Sequence, residues 1–170
     1  MHKLLTFATL LSMVLLIPQT VKAGEPRLLG THEDWAAYVF FEDSNKVCYM
    51  ASQPKEAKGD YTKRDEVFAL ITHRPAEGTK DVFSYITGYS YEPGSDTILK
   101  IDDKRFVLFT QDDTGWAPDS ETDAEIAKAL KAGSKMTVEG TSSRGTKTTD
   151  TFSLKGSTAA HKAITEECGS

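Results

Sequence analysis

Cysteine is scarce in this chain: two in 170 residues, Cys48 and Cys168. No Cys-x-x-Cys pair occurs, which argues against a thiol redox centre. Basic residues are outnumbered, 20 Lys and Arg against 25 Asp and Glu. Phosphate recognition needs a concentrated basic surface, so nucleic acid is not the expected partner, and general attraction to anionic lipid is disfavoured for the same reason. After the first residues no apolar run is long enough to span a bilayer, so no transmembrane segment is expected once the N-terminal segment is removed. Histidines are few and scattered. His32, His73 and His161 follow no His-Glu-x-x-His or clustered ligand spacing, so neither a metal site nor a cofactor is expected, and His73 reads as a strand-end residue bonded to backbone.

The motifs of chemistry are near-misses. Gly88-Tyr89-Ser90-Tyr91-Glu92 resembles a nucleophile elbow, but Glu92 replaces the glycine that allows the tight strand-to-helix turn. Gly140 to Lys147 resembles a phosphate loop, yet Thr146 separates Gly145 from the lysine that must follow it directly. Arg144-Gly145-Thr146 lacks the acidic third residue of an integrin-binding tripeptide. The carboxylates are abundant and scattered, so no acid-base pair stands out. Asp102-Asp103 and Asp112-Asp113 read as solvated turns rather than calcium loops, because no spaced series of oxygen ligands follows. No catalytic residue is assigned.

What is present begins with an export signal. Lys3 precedes the apolar run Leu4 to Ile17, and Val21-Lys22-Ala23 fits the signal-peptidase rule, so cleavage is expected between Ala23 and Gly24. The run, about 14 residues, is short of the roughly 20 needed to cross a bilayer. Residues 24–170 then form one domain of ordinary size. In an exported chain Cys48 and Cys168 are expected to pair, closing a loop worth on the order of 4–5 kcal/mol in the chain-entropy model.

Within that domain, Trp35 to Phe41 and Lys46 to Ala51 flank a turn and read as a hairpin. Gln53 to Lys63 reads as a loop. Glu66 to Thr72, Asp81 to Thr87, Thr97 to Ile101, Arg105 to Thr110, Lys135 to Gly140 and Thr148 to Leu154 read as further strands. A capping box at Thr122 to Glu125 opens a helix buried through Ile126 and Leu130, with Gly133 a left-handed terminator. Ser157 caps a second, C-terminal helix, in which Ala160, Ile164 and Cys168 share the inward face. The expectation is a mainly β fold: a single-domain β-sandwich or partly closed barrel with two short helices.

Trp35 before a strand and Cys48, Thr72-His73-Arg74-Pro75, Gly88-Tyr89, Gly94-Ser95-Asp96, Trp116, and the whole stretch from Gly140 through Thr149-Asp150-Thr151-Phe152 to Cys168 resemble the invasion-associated locus B family of exported alphaproteobacterial proteins. The resemblance implies a periplasmic, surface-associated or secreted protein, connected in pathogenic members with entry into host cells. It supplies no catalytic motif. Many members carry a further cysteine shortly after the tryptophan, and Trp35 to Phe41 has none.

Tyr89, Tyr91, Trp116, Arg144 and Lys147 fall in or beside expected loops, and aromatic and Arg side chains are enriched in contact hot spots. They form the candidate binding surface of a non-catalytic module whose partner is an unidentified protein or an envelope or host-surface ligand. Plugging the ends of the sandwich is the ordinary alternative for Trp116 and Tyr89. Competing functions are a periplasmic enzyme with a site assembled only by folding, and a structural or assembly factor of the envelope.

Overall fold

The structure is a computed structural model that describes residues 24–169. The expected signal segment, 1–23, lies outside the described residues. Gly24, the first residue described, donates its N–H to the Phe41 carbonyl at 3.1 Å.

The described chain forms eleven strands, the inner ones driven by alternating apolar and polar residues: β1 (Arg27–His32), β2 (Trp35–Glu42), β3 (Asn45–Ser52), β4 (Glu56–Gly59), β5 (Phe68–Arg74), β6 (Thr79–Ile86), β7 (Thr97–Ile101), β8 (Lys104–Gln111), β9 (Thr114–Trp116), β10 (Lys135–Thr141) and β11 (Lys147–Ser153). Two helices follow the same logic at a longer period, α1 (Ser120–Ala132) and α2 (Ser157–Cys168). All strand pairs are antiparallel, in the order β1-β2-β3-β5-β6-β9-β8-β7-β10-β11-β4.

The strands therefore make one continuous sheet that bends back on itself and does not close into a barrel. The bend is at β8. Its residues up to Leu108 pair with β7, whereas Phe109 to Gln111 pair with β9. The two halves meet where the rings of Tyr85 and Phe152 pack edge to face at 6.2 Å, and where the Trp35 indole N–H donates to the Ser153 carbonyl at 3.1 Å. Met50, Ile71, Phe83, Leu99, Leu108, Met136 and Phe152 are fully buried, each worth about 1.5–3 kcal/mol of apolar transfer.

Three strands depart from the sequence reading: β9, which takes Trp116 into the sheet, and two edge strands. β1 lies ahead of the first expected strand, and β4 falls inside the stretch read as a loop. Both occupy sheet edges, and all four β4 residues are exposed. Backbone pairing to one neighbour holds β4, and β1 adds only the contact of Leu29 with the core.

Both helices begin differently than expected. At α1 the capping acceptor is Asp119, whose carboxylate takes the Thr122 N–H at 2.7 Å. Ile126 and Leu130 are buried as the spacing requires, but Gly133 has φ −87° and is not left-handed. Glycine is needed there because a Cβ would crowd Asp102 and Ile101. For α2 the cap position is Gly156, at φ 88°, and its missing side chain lets the helix start abut the His32 carbonyl. Ser157 instead donates its hydroxyl to the Leu130 carbonyl at 2.8 Å, joining α2 to α1. Ala160, Ile164 and Cys168 do face inward.

Cys48 and Cys168 are bridged, with Cα atoms 6.0 Å apart across 120 positions of sequence. The far end of α2 is thereby fastened to β3. Among the described residues no helix is long and apolar enough to cross a membrane.

Candidate functional site

A groove of roughly 590 Å³ opens between the segment 60–65, the turn 88–90 and the β10–β11 hairpin tip. Its floor is an ion pair between the sheet halves. Arg64 donates to both carboxylate oxygens of Asp150, at 2.7 and 2.6 Å, and its Nε donates to the Thr87 carbonyl at 2.6 Å. The Tyr85 hydroxyl joins by donating to Asp150 and accepting from Arg64 at 3.2 Å. The side chains of Arg64 and Asp150 are 4% and 0% exposed. Burial opposes the charge on Arg64, but the Asp150 hydrogen bond and charge outweigh it and hold the guanidinium protonated. Burial, with Asp150 beside it, likewise pushes the Tyr85 phenol well above the ordinary tyrosine range.

Aromatic rings bracket this floor. The guanidinium carbon of Arg64 lies 4.9 Å from the Tyr89 ring centre and 5.6 Å from that of Tyr61. Tyr89 is fixed by a 2.7 Å hydrogen bond with the Thr148 hydroxyl. The hairpin tip is tied down too: Ser143 N–H donates to the Ser90 carbonyl at 2.8 Å, and the Ser142 hydroxyl accepts from the amides of Arg144 and Thr146. Gly88, at φ 73°, brings the opposite wall into backbone contact, its carbonyl accepting from Asp65 N–H at 3.1 Å.

The groove thus has a rigid hydroxyl- and aromatic-lined body. Because Asp150 neutralises Arg64, the charged groups available to a ligand are the cations Lys63 and Arg144 and the carboxylates Asp60 and Asp65, all exposed. Of the expected surface residues, the fold brings Tyr89 and Arg144 together here. Tyr91 is only 5% exposed and is packed inside, at an isolated bridge between Tyr91 and Ser142. Trp116 ends β9 in the sheet rather than a loop, and Lys147 starts β11; neither lines the groove.

A second constellation was invisible to spacing. His73 on β5 and His161 on α2 both aim Nε2 at one oxygen of Asp81, at 3.3 and 2.6 Å. His73 is the penultimate residue of β5, near the strand end as expected, and is buried with Asp81 at its ring. Hydrogen bonds from His161 and His73 hold the Asp81 carboxyl far below the usual carboxylate range.

The profile described as Invasion associated locus B (IalB) protein matches residues 35–165. The chain belongs to the invasion-associated locus B family. No curated protein matches it. Among solved structures it is similar to the crystal structure of invasion associated protein b from Bartonella henselae, with a TM-score of 0.52 and 18% identity, covering 81% of this chain and 95% of that one. At that identity the likeness bears on the fold. The family's matched region contains both the groove floor and the histidine pair, and includes Cys48 but ends before Cys168.

Proposed function

We propose that this invasion-associated locus B protein is a non-catalytic binding module that acts outside the cytoplasm, in the periplasm or at the outer surface, and takes its ligand in the Arg64-floored groove. The supporting observation is how the groove's buried charges are spent: Arg64, Asp150 and Tyr85 satisfy one another. What remains to recognise a ligand is a stacking face on Tyr61 and Tyr89, hydroxyls of Ser and Thr, and the exposed charges of Lys63, Arg144, Asp60 and Asp65. That set suits a polar, hydroxyl-bearing surface group of a protein or envelope polymer. Export agrees with the signal-like segment Leu4 to Ala23 and with the bridge between Cys48 and Cys168.

The test is a binding screen of the purified protein against envelope fractions and host-cell surface extracts, followed by Arg144→Ala and Tyr89→Ala. A binder found with the unaltered protein should lose tenfold or more in affinity with each variant, while Trp116→Ala, away from the groove, leaves affinity unchanged. Unchanged affinity in both groove variants would remove the groove from consideration. Capture confined to envelope components would favour an assembly factor over a host-directed binder.

A further inference from the structure

We propose that His73, Asp81 and His161 form a binding site for a divalent late transition metal of the zinc class, clamping α2 to the sheet next to the disulfide. The inference is independent of the groove and of its ligand.

The site is built by a distortion of the ladder. Thr72 pairs with Val82, but Arg74 pairs with Thr79, so His73 alone faces both Lys80 and Asp81. This bulge bends β6 and puts Asp81 at φ 60°, a left-handed backbone that a non-glycine residue adopts at a cost of about 1 kcal/mol. The return for that strain is the direction of the carboxylate. It projects to His73, which is 1% exposed, and to His161, reaching over from α2. The two imidazole rings lie 5.4 Å apart at 70°, and the three ligand atoms all fall within 4.8 Å of one another.

Those separations suit a metal. Bonds of about 2.1 Å to nitrogen and oxygen in a tetrahedron put neighbouring donors about 3.4 Å apart. The His73 to Asp81 distance of 3.3 Å already matches, and the His161 to Asp81 distance of 2.6 Å needs to open by less than the width of an atom. Two imidazoles and one carboxylate select zinc-like ions over calcium and magnesium, which require oxygen ligands. The side chains of Asp81 and His161 remain 17% and 12% exposed, leaving a path for the ion and a fourth position for water.

The surroundings orient the ligands. Thr165 gives its single hydroxyl proton to the His161 carbonyl at 2.8 Å, so toward His161 Nδ1, at 3.4 Å, it offers a lone pair. With its proton on Nδ1, on the Thr165 side, His161 would free Nε2 to exchange its hydrogen bond to Asp81 for a bond to the metal. Position adds a consequence. Cys48 stands opposite His73 in the β3–β5 ladder, and Cys168 lies seven residues after His161 on α2. The helix would be held to the sheet at two points, two turns apart, one covalent and one through the metal.

The experiment uses the purified chain without a histidine tag, stripped of metal by chelator. Titration with Co²⁺ should give the visible absorption of tetrahedral cobalt at one ion per chain, displaced by Zn²⁺, and Zn²⁺ should raise the melting temperature by several degrees. Asp81→Asn and His161→Gln should each weaken Zn²⁺ binding at least tenfold, while His32→Gln leaves it unchanged. Should either variant fail to fold, nitrogen NMR of the unaltered protein decides: Zn²⁺ must shift the imidazole resonances of His73 and His161. No saturable binding up to millimolar Zn²⁺, full binding in His161→Gln, or resonance shifts confined to other residues would each overturn the site.

Discussion

Arg64 and Asp150, 86 positions apart, meet in a two-pronged ion pair that is almost wholly withdrawn from water and joins the two halves of the bent sheet. A pair of this kind contributes little over an apolar replacement, yet breaking it strands one buried charge. We therefore expect Asp150→Ala to destabilise the fold by about 3–5 kcal/mol. A double variant, Arg64→Met with Asp150→Leu, should recover most of that loss. Urea denaturation monitored by tryptophan fluorescence measures both, and a mild effect of Asp150→Ala would show that water relieves the guanidinium.

Removing the bridge with Cys48→Ser and Cys168→Ser should cost about 4 kcal/mol, since the loop it closes is long. In hydrogen exchange, the amides of the last turns of α2 should lose protection before those of β3. Equal loss in both would mean that the bridge supports the sheet as a whole rather than anchoring the helix.

Asp123 supplies a pH dependence. It lies in the first turns of α1, 8% exposed, and accepts the Phe83 N–H at 2.8 Å, just past the pairing of β9 with Ser84. Burial pushes its carboxyl from 3.8 up to about 6, the Phe83 bond pulling back only in part and the charges of Asp119 and Asp81 adding to the rise. A raised acid holds its proton more tightly in the folded state. Its contribution therefore favours folding as pH falls from about 7 toward 4 and is lost as pH rises through about 6. Asp123→Asn, which keeps the acceptor, should match or exceed the parent at pH near 7.5 and lose about 2 kcal/mol of that relative advantage near pH 4.5. Parallel melting profiles across this range would dismiss the effect.

Gly88→Ala should be damaging. The position combines φ 73° with a place where a Cβ would fall on the Asp65 carbonyl. Backbone cannot yield as a side chain end can, so a loss of about 2 kcal/mol or more is expected. Ligand affinity at the groove should fall with it. A crystal structure of the variant with an unchanged wall spacing would refute the steric account.

The hairpin β2–β3, the β7–β8 pair and the β10–β11 pair were legible because Val, Tyr, Phe, Met and Thr alternate between firm turns. β1 and β4 were not, because Glu56 to Gly59 has no apolar face and Arg27 to His32 sends only Leu29 to the core, so each is defined mainly by the strand it edges. Asp150 left a trace: it shares the inward parity of Thr148 and Phe152, where a charge demands a partner. Arg64 left none, being one basic residue in a polar loop. The histidines met the same limit, since Asp81 and His161 are 80 positions apart and only the bulge at His73 brings the three together.

The division of β8 between the two halves carries a consequence for how the molecule comes apart. Neither half can melt while the other keeps all its strands, because both draw hydrogen bonds from the same continuous backbone. A cross-sheet ion pair and a bridge from β3 to α2 tie the parts of the domain together further. Loss of structure is then a single cooperative event, and a protease attacking the core must wait for the whole fold to open rather than for a local fluctuation.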